Sequence, residues 1–159
     1  MKFYDFLAKK IDGEEIKMEL YRGKVVLVVN TVSRCGLTPE FEDLEELNRD
    51  YKEKGLEILG FPCTQFSKKE SGSNEEMQKF CQSDYGVAFT MFEKTDVNGE
   101  AEHPLYKYLK AQAKGILSDE VKGNFTKFLI NSRGNVMKRY NPSESLEKIK
   151  VDIENLLKS

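Results

Sequence analysis

The chain has 159 residues, 39% of them hydrophobic and 33% charged, with 25 basic and 27 acidic residues and a net charge of −2. That length and mix suit one folded domain with a hydrophobic core and exclude a disordered or low-complexity chain. The near balance of charge argues against nucleic acid as the main partner, because phosphate binding needs a basic face.

The first twenty residues, "MKFYDFLAKKIDGEEIKMEL", interleave Asp5, Asp12, Glu14 and Glu15 with apolar side chains. They contain no continuous apolar stretch of the kind that signal peptides or membrane spans require. The longest apolar run, "VVLVV" at 25–29, is only strand length. The expected location is cytoplasmic, with no membrane partner.

Residues 3–18 read as a small hairpin turning at Asp12-Gly13. "KVVLVVN" (24–30) predicts a strand covered on both faces. Thr38 is a candidate N-cap and Pro39 suits the first helical position. Phe41, Leu44, Leu47 and Tyr51 then recur at helical spacing, and Gly55 follows the helix. "LEILGFP" (56–62) predicts a second strand. A polar loop over 66–76 leads to Ser73 and Glu76, spaced as a capping box for a helix reaching about Gln82. After a loop with Gly86, a short apolar segment and "FEKTDVNG" predict a strand and turn. Pro104 opens the helix "PLYKYLKAQA", and a Gly-containing linker spans 114–123. "FTKFLI" and "NVMKRY" flank Asn131-Ser132-Arg133-Gly134 as an antiparallel hairpin. "SESLEKIKVDIENLLK" (143–158) predicts an amphipathic closing helix with Leu146, Ile149, Ile153 and Leu156 on one face.

A βαβ unit followed, after further elements, by ββα is the core of the thioredoxin fold. The expected architecture is α/β, with a mixed central sheet flanked by helices and an N-terminal β-hairpin. No repeat or domain linker interrupts it, so residues 1–159 are expected to form one domain.

There are three cysteines, Cys35, Cys63 and Cys81. An odd number in a chain without an export signal does not indicate a structural disulfide framework. Cys35 follows the first long strand and precedes a helix, in "NTVSRCGLTPEF". A thiol there meets the positive end of the helix dipole and free backbone N–H groups, both of which favour thiolate. Arg34 is its neighbour. A buried structural cysteine is the competing reading. Metal binding has little support: there is one histidine, His103, and no CxxC or HxxxH pair. The absence of CxxC also weighs against a thioredoxin-type reductase.

"NTVSRCGLTPEF" (30–41) closely resembles the peroxidatic-cysteine motif of the glutathione peroxidases. "ILGFPCTQF" (58–66) resembles their second motif and "GNFTKFLI" (123–130) their third. The resemblance runs the length of the chain, in order. It implies that Cys35 is the thiolate that attacks the hydroperoxide, with Gln65 and Asn124 as the active-site glutamine and asparagine. Amide N–H groups can polarise the O–O bond and stabilise the departing oxygen without adding charge. Many relatives carry selenocysteine at the position that is Cys35 here. The third motif departs from the family pattern: its usual Trp-Asn-Phe is Gly123-Asn124-Phe125, and the chain has no tryptophan.

The resemblance further implies that Cys81 is the resolving cysteine of the thioredoxin-dependent branch, closing a disulfide with oxidised Cys35. The alternative is that Cys81 packs with Met77 and Phe80 on a helix face. Cys63, between Pro62 and Thr64, reads as a spectator. The expected activity is reduction of hydrogen peroxide and organic hydroperoxides, with thioredoxin as donor, no cofactor and no metal. A one-thiol glutathione-dependent peroxidase and a peroxide sensor or relay are the alternatives. Tetrameric relatives carry an extra loop before the third motif, where this chain has only "KGILSDEVKG". A monomer or weak dimer is therefore expected.

Overall fold

The computed structural model describes residues 2–31, 39–63, 65, 88–113, 120–121 and 123–158. Cys35, Cys81, the Thr38 cap, the helix expected from Ser73 to Gln82, the loop with Gly86 and most of the 114–123 linker lie outside the described residues.

The N-terminal hairpin forms as the sequence predicts. β1 (Leu7–Lys9) pairs antiparallel with β2 (Glu15–Lys17), placing Ala8 opposite Ile16. Its turn closes through Gly13 N–H to Lys10 O at 2.8 Å and Glu14 N–H to Asp12 Oδ1 at 2.9 Å. Asp12 thus supplies the side-chain acceptor that makes such turns self-sufficient.

The main sheet has the order β5-β4-β3-β6-β7. β3 (Val25–Thr31) is buried at all seven positions, which explains a run with no polar alternation. It pairs parallel with β4 (Leu56–Pro62) and antiparallel with β6 (Lys127–Ile130). β6 pairs antiparallel with β7 (Val136–Tyr140), and β4 pairs parallel with the short β5 (Thr90–Met91). This is the mixed sheet of a thioredoxin-like α/β fold.

Three helices are described. α1 (Pro39–Tyr51) crosses from β3 to β4, and Phe41, Leu44, Leu47 and Tyr51 are its buried stripe. α2 (Pro104–Gln112) starts at the expected proline, and its cap is His103, whose Nδ1 accepts from Leu105 N–H at 3.1 Å. Burial lowers the His103 pKa, keeping the imidazole neutral and able to accept. α3 (Leu146–Lys158) buries Ile149 and Ile153.

Two boundaries differ from expectation. The closing helix begins at Leu146 rather than 143, because residues 141–144 are held in a turn by Glu144 N–H to Asn141 O at 3.0 Å. Ser145 then caps the helix, its Oγ 3.3 Å from Lys148 N. "FEKTDVNG" forms no extended strand: pairing is limited to Thr90–Met91 and two isolated bridges, Phe92 with Lys10 and Asp96 with Glu102. The hairpin captures this backbone instead, with Ile11 N–H to Met91 O at 3.0 Å and Glu93 N–H to Lys9 O at 2.9 Å.

The core lies on both faces of the sheet. Val26, Val28, Phe61 and Phe128 face the hairpin and α2, where Phe3, Met18 and Tyr106 pack against them. Val25, Leu27, Val29 and Leu129 face α1 and α3. The alternation along β3 and β6 divides these sets, and it puts Lys127 on the α1 side with Val29, its partner across the ladder.

Candidate active site

β3 runs as apolar backbone until its last two residues, Asn30 and Thr31, which are polar and completely buried. A buried polar side chain is costly unless it is satisfied. Asn30 meets that cost in part by holding the loop that enters β6. Its Nδ2 donates to Gly123 O at 3.0 Å, and its carbonyl accepts from Phe125 N–H at 2.6 Å. Thr126 Oγ1 also donates to Gly123 O, at 2.9 Å. On the other side of the strand, Thr31 O accepts from Cys63 N–H at 3.0 Å. The start of the first motif is thus bonded directly to the second and the third at the carboxyl end of β3. Four residues further along the sequence is Cys35.

The loop over 123–126 is sharply bent. Phe125 has φ of 65°, the sole non-glycine residue in that region among those described. A phenylalanine adopts this conformation only when its surroundings impose it. Here its ring is buried edge-on to Phe41 at 5.2 Å, and its N–H is fixed by Asn30. The Lys127 ammonium donates to its carbonyl at 2.7 Å. The bend presents Asn124, whose Oδ1 is buried without a hydrogen-bond partner among the described residues. Asn30 Oδ1 and Thr31 Oγ1 are likewise buried and unpartnered. Among the described residues, three unpartnered oxygens thus lie at one end of the sheet, each a place where a bound group would find an acceptor.

Gln65 is placed differently from Asn124. It is exposed, yet its amide is engaged by the turn after β5: Oε1 accepts from Val97 N–H at 2.8 Å and Asn98 N–H at 3.1 Å, while Nε2 donates to Asn98 O at 2.8 Å. One of the two Nε2 hydrogens remains for another acceptor. Asn98 passes the connection on. Its Nδ2 donates to Val121 O at 2.7 Å, and its Oδ1 accepts from Val121 N–H at 2.9 Å and from Lys110 Nζ at 3.1 Å. Lys110 in turn pairs with Glu102. Gln65 and the approach to Asn124 are therefore linked through Asn98.

Cys63 is buried, and burial pushes its thiol pKa up, so it stays protonated near neutrality. Its sulfur accepts from Gln65 N–H at 3.5 Å. This is the environment of a structural cysteine. Gly123 has room around it: an added Cβ would meet Pro142 Cγ at 3.6 Å, an ordinary contact.

Asn30, Thr31, Asn98 and Lys127 were not singled out from sequence. For the first two a signal existed, a polar pair closing a strand that is otherwise apolar. Lys127, a charge inside "FTKFLI", is the same kind of signal. Asn98 lies in a turn where Asn is ordinary, and nothing local marks it.

Comparison with known proteins agrees with this geometry. The glutathione peroxidase family profile matches residues 3–110. A glutathione peroxidase of Lactococcus lactis subsp. cremoris is 55% identical over 157 residues, covering 99% of this chain and all of the relative. A glutathione peroxidase-like peroxiredoxin of Schizosaccharomyces pombe is 46% identical, covering 98% of each chain. The crystal structure of Trgpx in apo form superimposes with a TM-score of 0.84 at 36% identity, covering 100% of this chain and 97% of the other. Three motifs joined at one strand end, and relatives matched along nearly their whole length, place this chain in the glutathione peroxidase family.

Proposed function

We propose that the chain is a thiol peroxidase of one domain over residues 1–159, with Cys35 as the peroxidatic residue. The observation that carries this reading is the stitching of the second and third motifs to Asn30 and Thr31, just ahead of Cys35. The Cys35 thiolate attacks one oxygen of the hydroperoxide. The O–O bond breaks, the departing oxygen takes a proton and leaves as water or an alcohol, and the sulfur becomes a sulfenic acid. Asn124, whose Oδ1 has no partner among the described residues, faces the reacting oxygens, its Oδ1 accepting from the hydroperoxide O–H or its Nδ2 donating to the departing oxygen. Gln65 holds the second motif against the 97–98 turn and retains one N–H for the same purpose.

Cys81 then attacks the sulfenic sulfur. The S–O bond breaks, water leaves, and a Cys35–Cys81 disulfide remains. A dithiol such as thioredoxin supplies the two electrons that reopen it. An internal thiol reaches the sulfenic acid at high effective concentration, which favours this route over external glutathione. The enzyme acts in the cytoplasm as a monomer or weak dimer. Among the described residues, no helix is long and apolar enough to cross a membrane.

NADPH-coupled peroxide turnover, with thioredoxin or glutathione as alternative donors, tests the reading. Cys35→Ser is expected to abolish turnover, and Cys81→Ser to abolish only the thioredoxin-coupled rate. Peroxide treatment is expected to give a Cys35–Cys81 linked peptide by mass spectrometry. A Cys35→Ser protein with full turnover overturns the mechanism. A Cys81→Ser protein that keeps its thioredoxin-coupled rate makes Cys81 structural.

A further inference from the structure

We propose that Lys127 is a positioning residue of the peroxidase site, holding Asn124 in place through the carbonyl of Phe125. The inference rests on the reading of Asn124 as a group that faces the reacting oxygens.

Lys127 is a 6% exposed residue in the second-from-edge strand β6, between Val29 and Tyr140 in the ladder. An apolar side chain there would continue the core face formed by Val29 and Leu129. A lysine costs desolvation instead, and that cost is retained where the amine has a task. Its Nζ turns back to Phe125 O, two residues earlier, at 2.7 Å. That carbonyl closes the bend in which Phe125 is held at φ of 65°. A charge-assisted bond is roughly twice as strong as a neutral one. It fixes the Phe125 carbonyl, while Asn30 fixes the Phe125 N–H. Asn124 lies between Gly123 and Phe125, whose backbone groups are both bonded, so its side chain has a set direction. On α1, Glu40 and Asp43 favour the charged form of Lys127 through space, against the burial that opposes it. On β7, the neighbouring Tyr140 hydroxyl is committed to Asp152 on α3 at 2.6 Å.

The test is a double-mutant cycle on peroxide turnover. Asn124→Ala alone is expected to lower kcat/KM by about a hundredfold. Lys127→Met alone is expected to lower it by about tenfold or more, with far-UV spectrum and cooperative thermal unfolding retained. In the double variant the two losses are expected not to multiply, the rate matching Asn124→Ala within about twofold. Lys127→Arg, which keeps a charged donor, is expected to recover most of the rate. It is also expected to keep that rate above pH 8, where wild type declines as its amine loses the proton. Losses that multiply, or a Lys127→Met protein at wild-type rate, overturn the inference while leaving Asn124 in the site. Full turnover by Asn124→Ala refutes the reading of Asn124 and the inference with it.

Discussion

Burial holds the Lys127 pKa down to about 8, while Asp43 and Glu40 pull it upward. In the unfolded chain the amine returns to 10.5, so between those values the unfolded state binds the additional proton. Stability therefore rises with pH across that window, and the penalty is fully present below pH 8. Relative to Lys127→Met, the wild-type protein is expected to gain about 3 kcal/mol between pH 7 and pH 10.5. Paired denaturant titrations at the two pH values measure this, and a constant difference refutes it. Cys63 is the opposite case, a buried thiol held protonated. Cys63→Ala is expected to keep turnover within about twofold, and native Cys63 to alkylate far more slowly than in the unfolded chain. Gly123 provides a gain-of-function test at the same scale. Because an added Cβ meets only an ordinary contact with Pro142, the backbone at Gly123 accepts a side chain, and Gly123→Trp introduces an indole N–H donor beside Asn124. It is expected to raise kcat about tenfold. An unchanged rate in a folded Gly123→Trp protein means the indole has no place in this site.

At the scale of elements, turns and caps set the boundaries. The β6–β7 hairpin turns at Gly134, with φ of 85° and an added Cβ only 2.7 Å from the Tyr4 ring. Tyr4 is fixed from the other side by its hydroxyl on Ser132 O at 3.0 Å and by the Arg22 guanidinium 4.3 Å from its ring centre. Gly134→Ala therefore meets both a left-handed backbone and a clash that cannot relax easily. It is expected to cost about 2 kcal/mol or more. Thermal unfolding at neutral pH measures this. Arg139 on β7 donates to Glu120 O at 2.6 Å and to Ala113 O at 3.4 Å, tying both ends of the connection that precedes the third motif.

Across the whole molecule, the sheet has two lateral edges. The hairpin covers one, with Ile11 N–H on Met91 O of β5 and Lys9 O accepting from Glu93 N–H just beyond it. β7 forms the other, and Lys138 and Arg139 lie along it. Charged side chains at an edge oppose pairing with another chain. Light scattering at micromolar concentration is expected to give the mass of one chain, or a dimer that dissociates on dilution. A stable tetramer refutes this.

Hydrophobic spacing alone determined most of the architecture. The buried run 25–29, the α1 stripe and the proline at 104 each carry their own local signal, and the elements formed where those signals lie. The length of β5 was decided by tertiary contacts, because the hairpin took the backbone after Met91, whereas the start of α3 was set locally by a turn at 141–144 and the Ser145 cap. The motifs identified the family, because Cys35, Gln65 and Asn124 lie in recognisable strings. The different surroundings of Gln65 and Asn124 were not legible there. A glutamine tied to Val97 and Asn98 and an asparagine left unsatisfied at a strained bend are both polar loop residues in a sequence. Only the packing of Asn30, Thr31 and Lys127 around the end of β3 separates them, because hydrogen-bond satisfaction depends on atoms distant along the chain.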